Sequence, residues 1–464
     1  MTAAKQFAKE YSREQLNLLY SSHISLTGAI GVDRLSRAIF ESNLEKEIDL
    51  ISTKATAGKY KFSQYKEKLI SKGANKIPRV ISIPTFRDRL TLRALCNVLK
   101  YTFAEQLSIK LPQHTIAEIR TCLKNGGFSH FIKLDVKTFY PTIEHSVLMR
   151  LLHRKIRKPE IRALISAAIT SPTVAFPDRM RPIEKKGVPQ GLSISNILAE
   201  IYLSEFDGWA RALPDVVYHR YVDDVLVLTK EDPTILAEKF RARMWEKYLL
   251  ETHEIGNTGK SSVGEICEQF HFLGYEFNAG VASVRIDSIR RVEASIAKIL
   301  TTYKYRCDSA KAEINPFKQL YLLDKAKKIC LWRLNLRATG CITEGVRKGW
   351  VFYFSQIDDD ALKQLHHLDK TLQVLARRFG LDLTAKEVKS FARTFHEAKR
   401  GNAAQSYIPN FDTTSLAYKR EILTMYGIDN VTTMTEVMID RMFKRKIRRE
   451  TSEMEEDIQG GSRG

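Results

Sequence analysis

The chain has 464 residues, 44% of them hydrophobic, which is enough apolar material for two or three packed domains and argues against a disordered protein. Lys and Arg outnumber Asp and Glu by 74 to 54, a formal charge of +20, which favours nucleic acid as a partner over an anionic membrane surface. Basic residues that only solvate the surface are the alternative explanation of this charge.

The cysteines and the N-terminus narrow the class of protein further. The six cysteines are scattered without a C-x-x-C pair, which argues against a zinc module or a redox dithiol. No stretch approaches the roughly 18 apolar residues of a membrane-spanning helix, and the first residues carry no apolar leader-like run. We therefore expect a cytoplasmic protein without a membrane partner.

Hydrophobic periodicity divides the chain into successive regions. Helical spacing predicts an N-terminal helical extension over residues 1–75, and a β-rich run bounded by prolines follows at 77–84. Helices and strands then interleave over 76–280. Long amphipathic runs predict helices over 281–380 and again over 381–464, where a basic segment at 441–449 precedes a Gly-Ser tail predicted to be disordered. The pattern favours an α+β fold with a helical C-terminal half.

Adjacent carboxylates occupy the tip of the strongest predicted hairpin, Val216 to Leu228. Asp223 and Asp224 stand where such a turn would ordinarily carry Asn-Gly or Asp-Gly. Two like charges at a tight turn repel each other unless a divalent cation compensates them. Asp135, at the predicted end of another apolar strand, would complete an oxygen site for two ions of the kind that catalyse phosphoryl transfer.

Three segments resemble, in order, signature segments of reverse transcriptases. They are Asp135–Pro141 (DVKTFYP), Gly187–Asn196 (GVPQGLSISN) and Tyr221–Asp224 (YVDD). Weaker matches flank them at Arg79–Pro84 (RVISIP) and Phe270–Tyr275 (FHFLGY). The resemblance covers residues 25 to 280 and implies a right-hand polymerase fold, with fingers and palm over 76–280, a helical thumb over 281–380 and a further helical region over 381–464.

The resemblance also implies roles for individual residues. The catalytic and metal-binding residues are Asp135, Asp223 and Asp224, which would hold two Mg²⁺ ions, or Mn²⁺ as a substitute, with Asp223 favoured over Asp224 as a direct ligand. The nucleotide-binding residues are Arg79 at the triphosphate, Tyr140 as the steric gate against a ribose 2′-hydroxyl, Gln190 beside the incoming nucleotide, and Lys260 as proton donor to pyrophosphate. The primer-grip residues are Phe272, Leu273, Gly274 and Tyr275. The predicted nucleic-acid contacts of the helical half are Arg333, Arg337, Arg347 and Lys348.

Some of these assignments have plain structural alternatives. Lys260 is equally consistent with a solvated loop lysine, because the surrounding segment departs from the usual pattern. Phe272 to Tyr275 could be the core of an ordinary hairpin. Tyr140 could be a core-packing aromatic residue.

The segment Thr27–Ser36 and the Phe-Leu-Gly-Tyr ending resemble the prokaryotic branch, which includes group II intron and retron enzymes. The Val-Thr-Gly and Asn-Ala-x-x-His elements of retron enzymes are not recognisable, so the resemblance favours bacterial defence-associated (anti-phage) reverse transcriptases. It implies an RNA-directed DNA polymerase that copies a noncoding RNA template into DNA from deoxynucleoside triphosphates. A retron-type or other domesticated reverse transcriptase, an RNA-binding effector with a vestigial site, untemplated or protein-primed synthesis, and a homo-oligomer all stay open.

Overall fold

The computed structural model describes residues 2–71, 77–107, 110–256, 260–384, 387–400 and 407–458. The predicted disordered tail at 459–464 lies outside them. The chain divides into two compact units, Met1–Lys110 with Gly127–Glu265, and Leu111–Gly126 with Ile266–Ser462. In the described ranges, no helix combines the length and the apolar character needed to cross a membrane.

The helices of the described residues are numbered along the chain. They are α1 (Ala3–Glu10), α2 (Arg13–Ser22), α3 (Arg37–Glu41), α4 (Leu44–Thr56), α5 (Phe86–Thr102), α6 (Pro112–Asn125), α7 (Phe139–Thr142), α8 (His145–His153), α9 (Pro159–Thr170), α10 (Ser195–Arg211), α11 (Pro233–Tyr248), α12 (Ile286–Lys311), α13 (Pro316–Thr339), α14 (Trp350–Tyr353), α15 (Leu362–Arg378), α16 (Phe391–Arg400), α17 (Leu416–Met425) and α18 (Glu436–Ile458).

The strands are numbered in the same way. They are β1 (Tyr65–Ile70), β2 (Arg79–Ile83), β3 (His130–Asp135), β4 (Thr173–Val174), β5 (Val216–Tyr221), β6 (Asp224–Thr229), β7 (Ser262–Glu265), β8 (Phe270–Phe272), β9 (Tyr275–Asn278), β10 (Val281–Val284), β11 (Cys341–Thr343) and β12 (Val346–Lys348).

An antiparallel sheet of order β5-β6-β3-β7 forms the centre of the first unit. The residues Val225–Leu228 of β6 are all buried, as expected of an apolar run in an inner strand. Helix α10 packs on β5, and α11 packs on β3 and β7. Asp232 caps the first turn of α11 and Pro233 occupies its first position, so the helix begins where the sequence signals a start.

The first unit contains a second sheet, of order β2-β1-β4. Its strands β1 and β2 follow the N-terminal helices in sequence. Helices α1, α2 and α4 pack against α5, and their apolar residues belong to the same core as those of α5. The predicted helical extension over 1–75 is therefore corrected at its C-terminal end, because Tyr65–Ile70 is strand β1. The polar residues Lys66, Glu67 and Lys68 gave no alternating apolar signal for a strand.

The second unit consists mainly of helices, as the C-terminal amphipathic runs predict. The long helices α12 and α13 pack along each other, and α17 packs on α18. A small antiparallel sheet of order β10-β9-β8 and the hairpin β11-β12 complete this unit. The main part of this unit begins at Ile266 rather than at the predicted boundary of 280. The unit also includes α6, whose residues Arg120 and Lys124 form ion pairs with Asp358. The predicted α+β fold with an antiparallel central sheet is confirmed.

Candidate active site

The three predicted metal-binding carboxylates lie at one end of the central sheet of the first unit. Asp135 ends β3, Asp224 begins β6, and the two residues are directly opposite each other in the strand register. Tyr221 pairs with Asp224, so that Val222 and Asp223 form a two-residue turn between β5 and β6. Because directly opposed residues of antiparallel strands are close neighbours on one face, the fold brings Asp135 and Asp224 together beside Asp223.

The turn that carries Asp223 has a backbone conformation that its own sequence disfavours. Val222 has a φ of 59°, a region in which a β-branched residue is an outlier. Gly or Asn is the usual residue at such a position in a two-residue hairpin turn. A residue held in this way costs about 1–3 kcal/mol, and it persists only where surrounding contacts over-determine the backbone.

Burial and mutual repulsion disfavour the ionised form of the hairpin carboxyls. Burial, followed by the charge of Asp135, raises the pKa of Asp223 to about 6. Burial, followed by the charge of Asp223, raises the pKa of Asp224 to about 7. A bound divalent cation would favour the charged form of both groups, so the unfavourable electrostatics of the protein alone are those that a metal relieves.

The donor set fits Mg²⁺ better than it fits a metal held in a closed protein cage. Among the described residues, no group of three or more His, Cys, Asp or Glu side chains is arranged so that these side chains alone could hold a metal ion. Mg²⁺ is usually held by one or two carboxylates together with waters and substrate phosphates. The side chain of Asp135 keeps 23% of its surface exposed, so one carboxylate of the set can be reached from solvent.

Arg79 and Tyr140 lie within electrostatic reach of Asp223. Burial lowers the pKa of the Arg79 guanidinium at the start of β2, and the charge of Asp223 partly offsets this effect. Tyr140 is buried in α7, and its hydroxyl donates a hydrogen bond of 2.9 Å to Oδ1 of Asn196. Burial, followed by the charge of Asp223, raises the pKa of the Tyr140 phenol. The structure thus brings the predicted triphosphate and sugar residues into the neighbourhood of the hairpin.

The loop Gly187–Gly191 is held between α7 and strand β2. The amide of Val188 donates to the carbonyl of Tyr140 at 2.9 Å, and the amide of Ser82 donates to the carbonyl of Gln190 at 2.7 Å. These backbone contacts fix the loop on both sides. The predicted nucleotide residues are therefore joined to one another through the main chain.

The last residue of this loop, Gly191, has no room for a side chain. Gly191 has a φ of 98°, and a Cβ at this position would lie 2.7 Å from the Ile81 side chain. The absence of a side chain at Gly191 is therefore required by a neighbour within the protein. In the structure it permits close approach of strand β2.

Gln190 carries an unsatisfied polar atom. Its side-chain oxygen Oε1 is buried and has no hydrogen-bond partner among the described residues. A buried acceptor without a partner is uncommon in proteins and is often explained by a ligand that supplies the missing donor. This observation favours the predicted contact between Gln190 and a nucleotide.

Lys260 lies beside Asp135, the first of the predicted metal-binding aspartates. Its Nζ is 2.8 Å from Nε2 of His253 and 3.9 Å from Oδ2 of Asp135. The amide of His253 donates to the Asp135 carbonyl at 2.9 Å. Burial, followed by the charge of Lys260, lowers the pKa of His253, which suits an imidazole that accepts a hydrogen bond from an ammonium group. The motif residues 257–259 that precede Lys260 lie outside the described residues.

We expect Lys260→Ala to lower the rate of deoxynucleotide incorporation about 10- to 100-fold, because it removes a proton donor for the leaving pyrophosphate. Single-turnover incorporation with saturating nucleotide measures this rate. Lys247→Ala, which removes an exposed lysine of α11, is the matched control and should leave the rate unchanged. A wild-type rate for Lys260→Ala would instead indicate a solvated loop lysine.

The predicted primer-grip residues form a hairpin in the second unit. Phe272 ends β8, Tyr275 begins β9, and the turn residues Leu273 and Gly274 both have positive φ. Phe272, Leu273 and Tyr275 are buried, and the Tyr275 hydroxyl donates to the carbonyl of Tyr353 at 2.6 Å. These contacts make the segment part of a hydrophobic core within its own unit. The primer-grip role stays a prediction.

The predicted nucleic-acid contacts fall into two groups. Arg333 forms ion pairs with Glu450 and Glu453 of α18, and Arg337, with 7% of its side chain exposed, forms ion pairs with Glu453 and Asp457. These two arginines join α13 to α18 and have little surface to offer to a phosphate, which corrects their predicted placement.

Arg347 and Lys348 lie on the hairpin strand β12 instead. Arg347 is exposed, and Lys348 has a distant partner in Glu344 at 3.8 Å. They are the better candidates for contact with nucleic acid.

We expect Arg347→Ala/Lys348→Ala to weaken RNA binding and to reduce the magnitude of the slope of log affinity against log salt by about 1 to 2. The reason is that fewer counterions are released on binding when fewer phosphates are contacted. Filter binding of labelled RNA at several salt concentrations measures both quantities. The control Lys363→Ala/Lys370→Ala removes the same charge from exposed positions of α15. Equal losses in the two variants would mean that only net charge matters.

Sequence reasoning missed residues that contact the predicted site residues or the strand that leads to them. Arg220 lies in β5 and contacts Glu200 and Asp207 of α10, while Asn196 of the same helix accepts the Tyr140 hydrogen bond. A signal was present, because Glu200 and Asp207 are two helical turns apart and so share one face of α10. The sequence alone did not show which cation faces them.

Comparison with known proteins identifies the domain that contains this site. Residues 70–277 match the family model described as "Reverse transcriptase (RNA-dependent DNA polymerase)". Protein YkfC of Escherichia coli (strain K12) is 23% identical over 294 residues, which cover 53% of this chain and 74% of YkfC. The group II intron-encoded protein LtrA of Lactococcus lactis subsp. cremoris is 28% identical over 201 residues, 42% of this chain and 32% of LtrA.

Among solved structures, apo telomerase from Candida Tropicalis has a TM-score of 0.41 and 15% sequence identity, with 91% of this chain and 70% of that chain covered. The region that matches the family model contains Asp135, Asp223 and Asp224. Residues 70–277 form a reverse transcriptase domain, and the chain is an enzyme of the RNA-directed DNA polymerase class.

Proposed function

We propose that this reverse transcriptase copies a dedicated noncoding RNA into DNA by two-metal nucleotidyl transfer, in the cytoplasm, and that the product serves defence against phage. The observation that carries the catalytic part is the direct pairing of Asp135 with Asp224 beside the Asp223 turn, within the matched domain. Burial and neighbouring charge disfavour the ionised form of Asp223 and Asp224, which suits a site that functions with cations bound.

The residues around the hairpin supply position and charge for the reaction. Asp135 and Asp223 would hold the metal ions, with Asp224 beside them. When bound, two Mg²⁺ ions lower the pKa of the primer 3′-hydroxyl and neutralise the charge that develops on the triphosphate. Arg79 is suited to bind triphosphate oxygens through its planar guanidinium. Lys260 would donate a proton to the departing pyrophosphate.

Selection of the nucleotide falls to Tyr140 and Gln190. The Tyr140 ring is fixed by burial and by its hydrogen bond to Asn196, so a ribose 2′-hydroxyl would have to displace a rigid group. The oxygen of Gln190, which has no partner in the part of the chain that the structure describes, is available to accept a hydrogen bond from the incoming nucleotide or the template. Both features favour deoxynucleotides positioned by the protein before chemistry.

The RNA partner and the biological role have different support. The formal charge of +20 favours a polyanionic template, and the resemblance of the sequence to bacterial defence-associated reverse transcriptases motivates the role against phage. The role is a family-level analogy and needs its own test.

The test begins with the full chain purified together with the RNA that accompanies it. With labelled deoxynucleotides and Mg²⁺, we expect DNA complementary to one copurified RNA, and no such product after prior ribonuclease treatment. Sequencing identifies the template. DNA that matches no copurified RNA would contradict a dedicated template, and a branched RNA–DNA product would indicate a retron-type enzyme.

A separate experiment tests the role in defence. A panel of phages should form fewer plaques on bacteria that express the protein together with the RNA identified as its template than on bacteria that express Asp223→Asn with the same RNA. Equal plaque numbers across the panel would contradict the defence role and leave the polymerase assignment untouched.

A further inference from the structure

A buried arginine joins the catalytic hairpin to helix α10. Arg220 lies in β5, and 2% of its side chain is exposed. Its Nε and Nη2 donate to the two carboxylate oxygens of Asp207 at 2.7 and 2.5 Å. Its Nη1 and Nη2 donate to the carboxylate oxygens of Glu200 at 3.1 and 2.8 Å. The guanidinium is thus fixed in place by two acids of one helix.

The same guanidinium also contacts the turn itself. Nη1 of Arg220 donates a hydrogen bond of 2.8 Å to the carbonyl oxygen of Val222. Val222 is the residue with the φ of 59°, and its carbonyl belongs to the peptide that leads into Asp223. The strained residue is therefore held by a buried cation whose own position is fixed by two acids.

Helix α10 carries the nucleotide side of the site as well. Its first residue, Ser195, donates from Oγ to the carbonyl of Pro189 at 2.6 Å, and Asn196 accepts the hydrogen bond from the Tyr140 hydroxyl. One helix therefore fixes the loop that contains Gln190, the ring of Tyr140 and, through Arg220, the catalytic turn. A small displacement of a reacting group is costly for catalysis, so a common frame for these elements has a direct benefit.

We propose that Arg220 is a positioning residue, which holds the Val222 carbonyl and thereby directs the Asp223 carboxylate towards Asp135. This inference rests on the proposed role of Asp223. Arginine is suited to the task because its planar fork presents several donors at fixed angles, so it can bind two acids and a carbonyl together. Lysine keeps the charge but is a compact donor on a flexible stem, and it cannot reproduce all of these hydrogen bonds.

Arg220→Lys is the direct test. We expect the maximal rate of incorporation to fall about tenfold to a hundredfold, since a charge-assisted hydrogen bond that orients the catalytic turn is lost. The KM for the deoxynucleotide should change little, because Arg79, Tyr140 and Gln190 are untouched. Hydrogen–deuterium exchange of the free protein should be about tenfold faster in the peptide that spans 221–224, and unchanged in the peptide that spans α10.

Tyr218→Phe is the matched control for loss of stability. The Tyr218 hydroxyl donates to the same Asp207 carboxylate at 2.7 Å, and Tyr218 pairs with Val227 of β6 rather than with a residue of the turn. This variant should lose thermal stability while its maximal rate and its hairpin exchange stay at the wild-type values. Equal loss of rate in Tyr218→Phe and Arg220→Lys would mean that the network acts only through stability, and would overturn the proposal.

Val222→Gly offers an independent test, because glycine adopts a positive φ without strain. In the Val222→Gly background, the loss of rate caused by Arg220→Lys should be smaller than in the wild type. If Arg220→Lys lowered the rate as much in the Val222→Gly background as in the wild type, the proposal that Arg220 holds the strained turn would be contradicted.

If Arg220→Lys does not fold, Asp207→Asn is measured in its place. It keeps Arg220 but withdraws the charge of its bidentate partner, and should give a smaller loss of rate with faster hairpin exchange. Wild-type hairpin exchange in the variant that is measured would overturn the proposal.

The exchange measurement needs no substrate. If the wild-type protein fails to incorporate nucleotides, the proposed function fails, while the exchange data still decide whether Arg220 holds the turn.

Discussion

Asp223→Asn is expected to reduce Mg²⁺-dependent deoxynucleotide incorporation by about a thousandfold or more, because it removes a charged ligand from a site whose task is to hold cations against the triphosphate. Asp223 sits in the hairpin turn, next to the paired Asp135 and Asp224. The measurement is single-turnover incorporation with equal amounts of folded wild-type and variant protein. A variant with more than a tenth of the wild-type rate would contradict a ligand role for Asp223.

The thermal stability of Asp223→Asn provides a control, because we expect it to stay equal or to rise while the activity falls. The pKa of Asp223 is raised to about 6 from 3.8 in the folded protein, so without metal the folded state is most favoured when this group is protonated. The contribution is present below pH 3.8 and is lost as pH rises through about 6. At pH 7, Asp223→Asn removes a partly buried, unfavourable charge, and we expect an equal or higher Tm. A lower Tm would mean that loss of activity reflects damaged structure.

Tyr140→Val is expected to relax the exclusion of ribonucleotides about tenfold to a hundredfold, since it replaces a rigid ring by a smaller side chain at the sugar. The ratio of kcat/KM for a deoxynucleotide to that for the matching ribonucleotide measures the exclusion. The buried ring and its hydrogen bond to Asn196 are the structural basis of this expectation.

Tyr140→Phe separates the ring from its hydroxyl group. It keeps the steric bulk and removes only the donor to Asn196, so most of the discrimination should be retained. If Tyr140→Val excluded ribonucleotides as well as the wild type does, the gate role of Tyr140 would be withdrawn.

The hairpin that carries Asp223 and Asp224 could be predicted from sequence because its signals are local. The arms Val216–Tyr221 and Asp224–Thr229 are rich in β-branched and aromatic residues, and the acids stand between them. Asp135 was placed at a strand end by the apolar run before it, and the structure pairs it with Asp224. The resemblance to reverse transcriptases then gave an order for the three segments, and the family match supports it.

Features that depend on distant partners could not be predicted in this way. Strand β1 has three charged residues in its middle, so its pairing with β2 and β4 leaves no periodic trace in the sequence. Helix α6 joins the second unit through Arg120 and Lys124, whose common partner Asp358 is far along the chain. Arg333 was predicted to meet nucleic acid because it is basic, but its acidic partners lie on α18.

The contacts of Arg220 with Glu200 and Asp207 also depend on partners that are distant in the chain. Arg220 lies near the end of β5, shortly before Asp223 and Asp224 in the chain, and an arginine in a strand ordinarily indicates an exposed edge or a surface. Its role follows only when α10 is seen to present Glu200 and Asp207 to it. Sequence therefore indicated the reacting groups, whereas the groups that hold them depend on three-dimensional packing.

Template-directed extension of a defined primer is the most direct test of the central claim that Asp135, Asp223 and Asp224 catalyse RNA-directed DNA synthesis. A DNA primer is annealed to four RNA templates that differ only in the first unpaired base, and each deoxynucleotide is supplied singly with Mg²⁺. The expected result is addition of the complementary deoxynucleotide on each template, and no addition by Asp223→Asn. Addition that ignores the template base, or addition that Asp223→Asn retains, would contradict the claim.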